Sequence, residues 1–539
     1  MSDELPQGWE VAELGTLGRW RGGGTPSKSV PAYWTDGTVH WVSPKDMKRL
    51  MIDSAEDQIT LAAVEKSAAN LIPKDSVLMV TRSGILEHTF PVAINTVEVT
   101  VNQDLKAWTP HPGINSTYAA YYLKAEGRAI LDHCSKDGTT VASIDFDRLK
   151  TYPFRLAPES EQSRIVSKIE ELFSSIDEGE RALERVRKLV ERYRQSVLKA
   201  AVTGELTREW REQHAGELES GEALLNRILQ ARRKAWETAE RANMTAKKQR
   251  PVNDLWKRKY KEPEAPDTPD LPELPHGWVW GSIGQVGFVS GGLTKNKARH
   301  DKGHTRPYLR VANVYANRLD LEEISVIGVG DSELDRVLLQ KDDLLVVEGN
   351  GSIGQVGRVA LWDGSVEGCV HQNHIIKVRL TSPDWAWYAL IWCLSPPGRT
   401  LIEQAASSTA GLHTLSITKI ETLPIPIPSG TELASIRDQF ECMASLVLSQ
   451  QADLLKSMKR ASALRQSVLR SAFDGGLVAQ DPADEPASVL LERIAAQRAT
   501  AASDASAAKE QKRKSRFPSG MTKKTVTTKA VAGRGKAKA

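Results

Sequence analysis

Four stretches of the chain carry residue types at spacings that chemistry uses. Gly349-Asn350-Gly351-Ser352-Ile353-Gly354 fits the dinucleotide pattern G-x-G-x-x-G, which grips a pyrophosphate only when a helix begins just after it. Gln355-Val356-Gly357-Arg358-Val359-Ala360 follows and reads as a strand, so a β-turn is expected instead. Ser395-Pro396-Pro397-Gly398 matches the start of an amino-methyltransferase motif in which an aromatic ring stacks on a flipped base. Glycine in the fourth place cannot stack, and no convincing glycine-rich loop for S-adenosylmethionine accompanies it. Cys369, His371 and His374 are metal-ligand types, but on a strand 369 and 371 share a face and 374 points away. Glu510-Gln511-Lys512, the one nuclease-like fragment, sits in a low-complexity tail. The chain has no G-x-x-x-x-G-K-[ST] and no H-E-x-x-H. Neither a catalytic constellation nor a bound metal or cofactor is expected on this chain.

Recognition chemistry is better represented. Arg19, Arg21 and Lys28 flank one glycine-rich loop, and Lys295, Lys297 and Arg299 flank another. Glycine lets a backbone approach a phosphate closely while Arg and Lys neutralise it. Asn, Gln and Arg can read base edges bidentately. On that chemistry Arg82, Ser83, Asn102, Gln103, Asn350, Ser352, His371, Gln372 and Asn373 are candidate base readers. Lys45, Lys136, Arg310 and Asn313 are further candidate DNA contacts.

The elements that must position these residues occur twice. Leu5-Pro6-Gln7-Gly8-Trp9 returns as Leu274-Pro275-His276-Gly277-Trp278, an offset of 269. Lys74-Asp75 and Gly84 meet Lys341-Asp342 and Gly351 at 267, and Arg194-Gln195-Ser196-Val197-Leu198 meets Arg465-Gln466-Ser467-Val468-Leu469 at 271. An offset that drifts so little indicates one unit used twice. Thr81-Arg82-Ser83-Gly84 stands against Glu348-Gly349-Asn350-Gly351, and Val101-Asn102-Gln103-Asp104 against Val370-His371-Gln372-Asn373. A duplicated scaffold with unlike tips would read two different half-sites.

Each half opens with short β-rich runs punctuated by Gly and Pro. Ser76–Val80 and Leu344–Val347 read as buried strands, and helical patterns run over Tyr118–Leu131 and Trp385–Leu394. An α+β domain is expected in each. A long helix follows. Ile165, Ile169, Leu172, Ile176, Leu183, Val186, Val190, Tyr193 and Val197 fall, with Gly179, on one register of alternating four- and three-residue steps, as do Ile436, Phe440, Met443, Val447, Leu454, Leu464 and Val468 with Gln450, Ser457 and Ala461. This period predicts two coiled-coil seams that pair with each other. From Ile165 to Val197 the rise is roughly 48 Å at 1.5 Å per residue, the length of a spacer. A short helix is expected near Leu224 and another near Leu490. Pro263, Pro266, Pro269, Pro272 and Pro275 recur every third residue, which predicts a polyproline strut about 37 Å long. The resulting division is residues 1–158, 159–215, 216–274, 275–428, 429–500 and a basic, disordered tail 501–539.

Charge is unevenly spread over the 539 residues. The net charge is +4, yet the stretch from Lys509 onward carries +10, leaving a body at −6. DNA binding by the body must then rest on local patches. No apolar window spans a membrane, Met1–Glu10 lacks a secretory pattern, and Cys134, Cys369, Cys393 and Cys442 fit no disulfide or zinc spacing. A cytoplasmic, nucleoid-associated protein is expected.

Taken together, these residues resemble the specificity subunit of type I restriction-modification systems. The resemblance covers about residues 5–500. It rests on the P-x-G-W openings, the Gly-Gly-x-Thr-x-x-Lys loops, Pro73–Gly84 and the rods ending in Arg-Gln-Ser-Val-Leu. It implies two target-recognition domains alternating with two helices that pair as an antiparallel coiled coil. Each domain would read half of an asymmetric bipartite site in double-stranded DNA. Two methyltransferase subunits and the restriction (helicase-nuclease) subunits would be the partners, and S-adenosylmethionine, ATP and Mg would bind to them. The specificity subunit of another restriction type and a coiled-coil scaffold without a DNA role are the alternatives.

Overall fold

A computed structural model describes residues 5–136, 138, 140–246, 253–296, 299, 304–409 and 411–516. The chain divides into two compact units, Met1–Arg181 with Met458–Ala539, and Ala182–Ser457. The fold is mixed α/β with long helices.

The first unit is built on a five-stranded sheet in the order Gly18–Gly22, Leu105–Pro110, Val77–Val80, Val92–Asn95, Met51–Ile52. Its central strand Val77–Val80 is a continuous apolar run buried on both faces. A four-stranded sheet orders Asp57–Ile59, Val39–Val42, Val99–Val101 and Leu71–Ile72. Helix Ser116–Ala125 starts where Asn115 accepts from the backbone N–H of Thr117 and Tyr118. It buries Tyr118 and Tyr122, whose hydroxyls donate to the carbonyls of Arg155 and Pro153. Glu10–Glu13 pairs antiparallel with Pro153–Leu156. Trp9 then donates its indole N–H at 3.0 Å to Glu161, in the first turn of the long helix Glu159–Val202. Leu469, Ala472 and Phe473, from the end of the second long helix Glu432–Phe473, enter the same core. So do Ala487, Leu490 and Ile494 of helix Ala487–Arg516. Gly475 adopts a left-handed φ of 77°, and a Cβ there would stand 2.2 Å from Pro6 Cγ.

The second unit repeats this construction. Gly287–Gly291, Ile375–Leu380, Leu344–Val347 and Val359–Leu361 form its four-stranded sheet. Val279–Ser282 pairs with Pro424–Ile427. Helix Pro383–Leu394 places Trp392 so that its indole N–H donates to the Pro424 carbonyl at 2.8 Å. Trp278 donates to Glu432, in the first turn of the second long helix, at 2.7 Å. Leu198, Ala201 and Val202 from the end of the first long helix join this core with Leu224 and Ile228 of helix Gly221–Ala246. Gly204 (φ 73°) leaves room for Pro275, to which a Cβ would come within 2.5 Å.

The two long helices meet inside each unit. In the first, Arg465 bonds Glu180 at 2.9 Å and also Asp177. In the second, Leu183, Val186, Val190 and Tyr193 face Gln450, Asp453, Leu454 and Ser457 across a groove. Ile165, Ile169, Val190, Val197, Ile436, Val447 and Leu454 are buried; Leu172, Ile176, Leu183, Phe440, Met443 and Val468 are half-buried. Val186, Tyr193 and Leu464 depart from the expected seam and are exposed. Gln450, Asp453 and Ser457 are too short or too polar to cover the first two. Gly179, between the two acids that hold Arg465, offers no side chain to cover Leu464.

Three further expectations are corrected. The helices near Leu224 and Leu490 are 26 and 30 residues long, not short. The second of them runs through residues 501–516, where frequent Ala favours helix over the expected disordered tail; the rest of the tail, 517–539, lies outside the described residues. The proline segment is no free strut. Ser282 Oγ donates to the Glu264 carbonyl at 2.7 Å and Trp280 Nε1 to the Pro272 carbonyl at 3.1 Å, so it lies on the second unit. Among the described residues no helix is long and apolar enough to cross a membrane.

Candidate nucleic-acid interface

In the first unit Arg19 and Arg21 alternate with Trp20 on strand Gly18–Gly22, so both guanidinium groups point outward while Trp20 packs on Trp108. Arg21 bonds the Leu71 carbonyl at 2.8 Å. Arg19 lines a separate groove with His111 and Arg498. Burial, then the charges of Arg19 and Arg498, holds the His111 imidazole below its usual range. Lys28 is exposed. The glycines between them do another job than approaching phosphate. A Cβ at Gly23 would lie 2.0 Å from the Asn102 carbonyl, so the loop is packed under the 101–104 turn.

That turn gathers several candidates. The backbone N–H groups of Thr81 and Arg82 both donate to the Asp104 carbonyl, Arg82 forms a bridge with Ser143, and Lys136 N–H donates to the Ser143 carbonyl. Arg82, Gln103 and Lys136 are exposed around it and Ser83 is half-buried. Gln103 accepts from the Thr25 hydroxyl. Asn102 is different: it is 5% exposed, and its amide is spent on Asp104 at 3.0 and 3.1 Å. It shapes the turn and drops out of the candidate contacts. Ser83 and Lys45 share a groove of about 540 Å³ with Lys48, Arg49 and Lys124. Lys45 itself bonds Asp57 and Glu56 at 3.0 and 3.1 Å, which raises its pKa and offsets its charge.

The second unit corrects more of the expected set. Arg299 is 9% exposed, forks onto Glu333 at 3.0 and 3.1 Å and donates to the Thr294 carbonyl. Asn313 is buried, and its amide donates to the carbonyls of Asp320 and Glu323 while accepting from the Arg310 N–H. His371 is fully buried, with Nδ1 2.9 Å from the Ile375 carbonyl. Burial, with Lys377 nearby, pushes its imidazole down to about 3. These three hold loops in shape and are not available to DNA. Lys295, Ser352 and, half-buried, Arg310, Asn350, Gln372 and Asn373 remain on the surface. Asn350 accepts from the Ser352 N–H at 2.9 Å, fixing the turn that the G-x-G-x-x-G string makes. That string is strand Gly349–Asn350 followed by the short helical turn Ile353–Gln355, with strand Val359–Leu361 beyond. Lys297 lies outside the described residues. Cys369 is buried, its thiol pushed up to about 12, and His374 faces Glu348 at 2.9 Å. Among the described residues no group of metal-ligating side chains assembles. Ser395 caps helix Pro396–Ala405 by accepting from the Gly398 N–H.

Residues 6–185 match the family described as "Type I restriction modification DNA specificity domain". The chain is 24% identical over 517 residues to the type I restriction enzyme EcoKI specificity subunit of Escherichia coli K12, spanning 92% of this chain and 97% of that one. It is 43% identical over 189 residues to the EcoR124I/EcoR124II specificity subunit of Escherichia coli, covering 34% of this chain and 47%, about half, of that relative. A solved structure described as the "structural basis underlying complex assembly and conformational transition of the type I R-M system" shares the fold. Its TM-score is 0.59 at 15% identity, over 88% of this chain and all of that one. Residues 6–185 thus match a type I restriction-modification DNA specificity domain, and nearly the whole chain is similar to specificity subunits of such systems.

Several surface groups were not singled out by sequence. Lys48, Arg49 and Lys124 join Lys45 and Ser83 only because helix and loop fold together. Tyr315, exposed on the hairpin Val314–Leu319, sits with Arg318 at 4.5 Å and Arg358 at 5.3 Å from its ring. An aromatic ring flanked by guanidinium groups is suited to stacking beside a phosphate backbone. Asn317 at φ 52° turns that hairpin, and an Asn between Tyr and Arg was the available signal.

Proposed function

We propose that the chain is the non-catalytic DNA-reading subunit of a type I restriction-modification complex. Each unit reads one half of an asymmetric bipartite target in double-stranded DNA, and the paired long helices act as an antiparallel coiled coil that sets the gap between the halves. The observation that carries this reading is the repeated frame with unlike tips. Trp9–Glu161 and Trp278–Glu432 anchor both units in the same way, while Arg82, Ser83 and Gln103 in one stand against Asn350, Gln372 and Asn373 in the other. Equal frames supply equal placement of the two readers; different side chains supply different base preferences.

On this reading two methyltransferase subunits dock on the helices and methylate an adenine in each half-site, and restriction subunits join them. S-adenosylmethionine, ATP and Mg belong to those partners. The complex works in the cytoplasm, on the nucleoid. Mapping methylated adenines genome-wide, with and without this gene, tests the reading. One bipartite motif should lose methylation on deletion. An unchanged map in cells that express the complex would refute it and favour a scaffold without a DNA role.

A further inference from the structure

The two units treat one arginine of the repeated Arg-Gln-Ser-Val-Leu string differently. In the first unit Arg465 leaves its own helix, bonds Glu180 at 2.9 Å and Asp177 as well, and lies 5.4 Å from the centre of the Phe173 ring. Phe173 in turn meets Tyr121 edge-on, with centroids 5.7 Å apart. The constellation is self-contained: a ring, two carboxylates and the guanidinium that caps them.

At an offset of 271 the same four positions in the second unit are Arg194, Ala444, Leu448 and Gln451. The ring and both acids are missing. All four of these residues line a cavity of about 280 Å³, walled by Trp387 and Phe440. A dry apolar cavity of about 150 Å³ is already enough to hold a benzene ring. Arg194 pairs at 3.3 Å with Glu191 on its own helix, a half-exposed contact worth little. Leu448, where the first unit has Asp177, is 65% exposed at the mouth.

From this pairing of an open ring-sized cavity with an arginine that has lost its cross-helix acids, we infer that the second unit docks a partner polypeptide segment. That segment carries an aromatic side chain next to a carboxylate: the ring fills the space beside Ala444 and the carboxylate meets Arg194. The first unit is closed to such a segment because Phe173, Asp177 and Glu180 already occupy the place. The two units therefore engage their partners unequally. The inference rests on the proposed function only for who supplies the segment, a methyltransferase subunit.

The test replaces the cavity by the first unit's own residues, A444F/L448D/Q451E, in the full chain. The variant should keep or raise the melting temperature and bind the co-expressed methyltransferase at least tenfold more weakly. Unchanged affinity would overturn the inference. A second measurement titrates 3-phenylpropionate, a ring bearing a carboxylate, and follows Trp387 fluorescence. The native chain should bind it saturably and the triple variant should not. Absence of binding to the native chain, or equal binding to both, counts against the pocket. If the native chain assembles with no methyltransferase, the functional reading fails and this titration alone decides the pocket.

Discussion

The indole N–H of Trp278 donates to Oε2 of Glu432 over 2.7 Å in the interior of the second unit. Ser429 shares that oxygen at 2.6 Å, and Thr207 and Arg211 fill Oε1 at 2.7 and 2.5 Å. Glu161 holds Trp9 in the first unit with one oxygen, but its Oε1 is buried without a donor, and burial raises its pKa. The two anchors look alike and differ in energy. Glu432→Ala takes the carboxylate from the part-buried Arg211, which keeps only the Gly204 carbonyl at 2.8 Å, and should cost about 3–5 kcal/mol. Glu161→Gln still accepts from Trp9 and removes a poorly solvated charge, so it should stay within about 1 kcal/mol of the native chain. Denaturant unfolding followed by tryptophan fluorescence measures both, and equal losses would show that the extra donors around Glu432 add nothing.

A buried histidine gives the second unit a pH dependence. The folded state holds the His371 imidazole near 3, whereas the unfolded chain takes up a proton near the ordinary 6.5. The unfolded state therefore binds more protons as pH falls, so the stability is full above about 6.5 and is lost progressively toward 3. By pH 5 the loss should be about 2 kcal/mol. His371→Asn removes the titrating group and should flatten this part of the profile. A native-like slope between pH 7 and 5 in the variant would assign the effect elsewhere.

On the proposed reading, the exposed side chains of the first unit would make two kinds of DNA contact. Arg82 is exposed, as are Gln103 and Lys136 around the 101–104 turn. Arg82→Ala should cost about 1–3 kcal/mol of specific binding and relax one position of the target. Lys48 lies in the neighbouring basic groove. Lys48→Ala should weaken binding evenly across sequences and reduce the salt slope by about one. Binding of the assembled complex to a panel of single-base target variants at several salt concentrations distinguishes the two. A uniform loss with Arg82→Ala would make it a phosphate contact.

How much was legible follows from the chemistry of particular residues. The repeat itself was, because Trp9 and Trp278, or Arg194 and Arg465, sit in strings that matched directly. The buried strands Val77–Val80 and Leu344–Val347 were, because continuous apolar runs of that length bury on both faces. The role of polar loop residues was not. Asn102, Asn313 and His371 have the donors and acceptors that read a base edge, and the same groups serve equally well to brace a turn. Only the position of Asp104, Asp320 or the Ile375 carbonyl beside them decides which. Arg299 likewise looked free until Glu333, 34 residues away, came to meet it. The period of the long helices showed which face is apolar, but not that Gly179 and Ser457 leave Leu464 and Tyr193 uncovered.

Those long helices supply the last prediction. Buried seam residues on one, such as Val190 and Val197, face the stretch of the other around Leu454 and Val447, so the two seams must stay in step. Removing residues 183–189 from the first helix alone shortens one rod by about 10 Å and shifts every later seam residue against an unchanged partner. Adenine methylation should be lost. Removing 454–460 from the second helix as well restores the match between equal rods, because a heptad is deleted from each. Methylation should then return at a motif with the same two half-sequences and a different gap, which sequencing of methylated DNA reads directly. A doubly shortened chain that modifies the original motif at its original gap would show that the helices do not set the spacing.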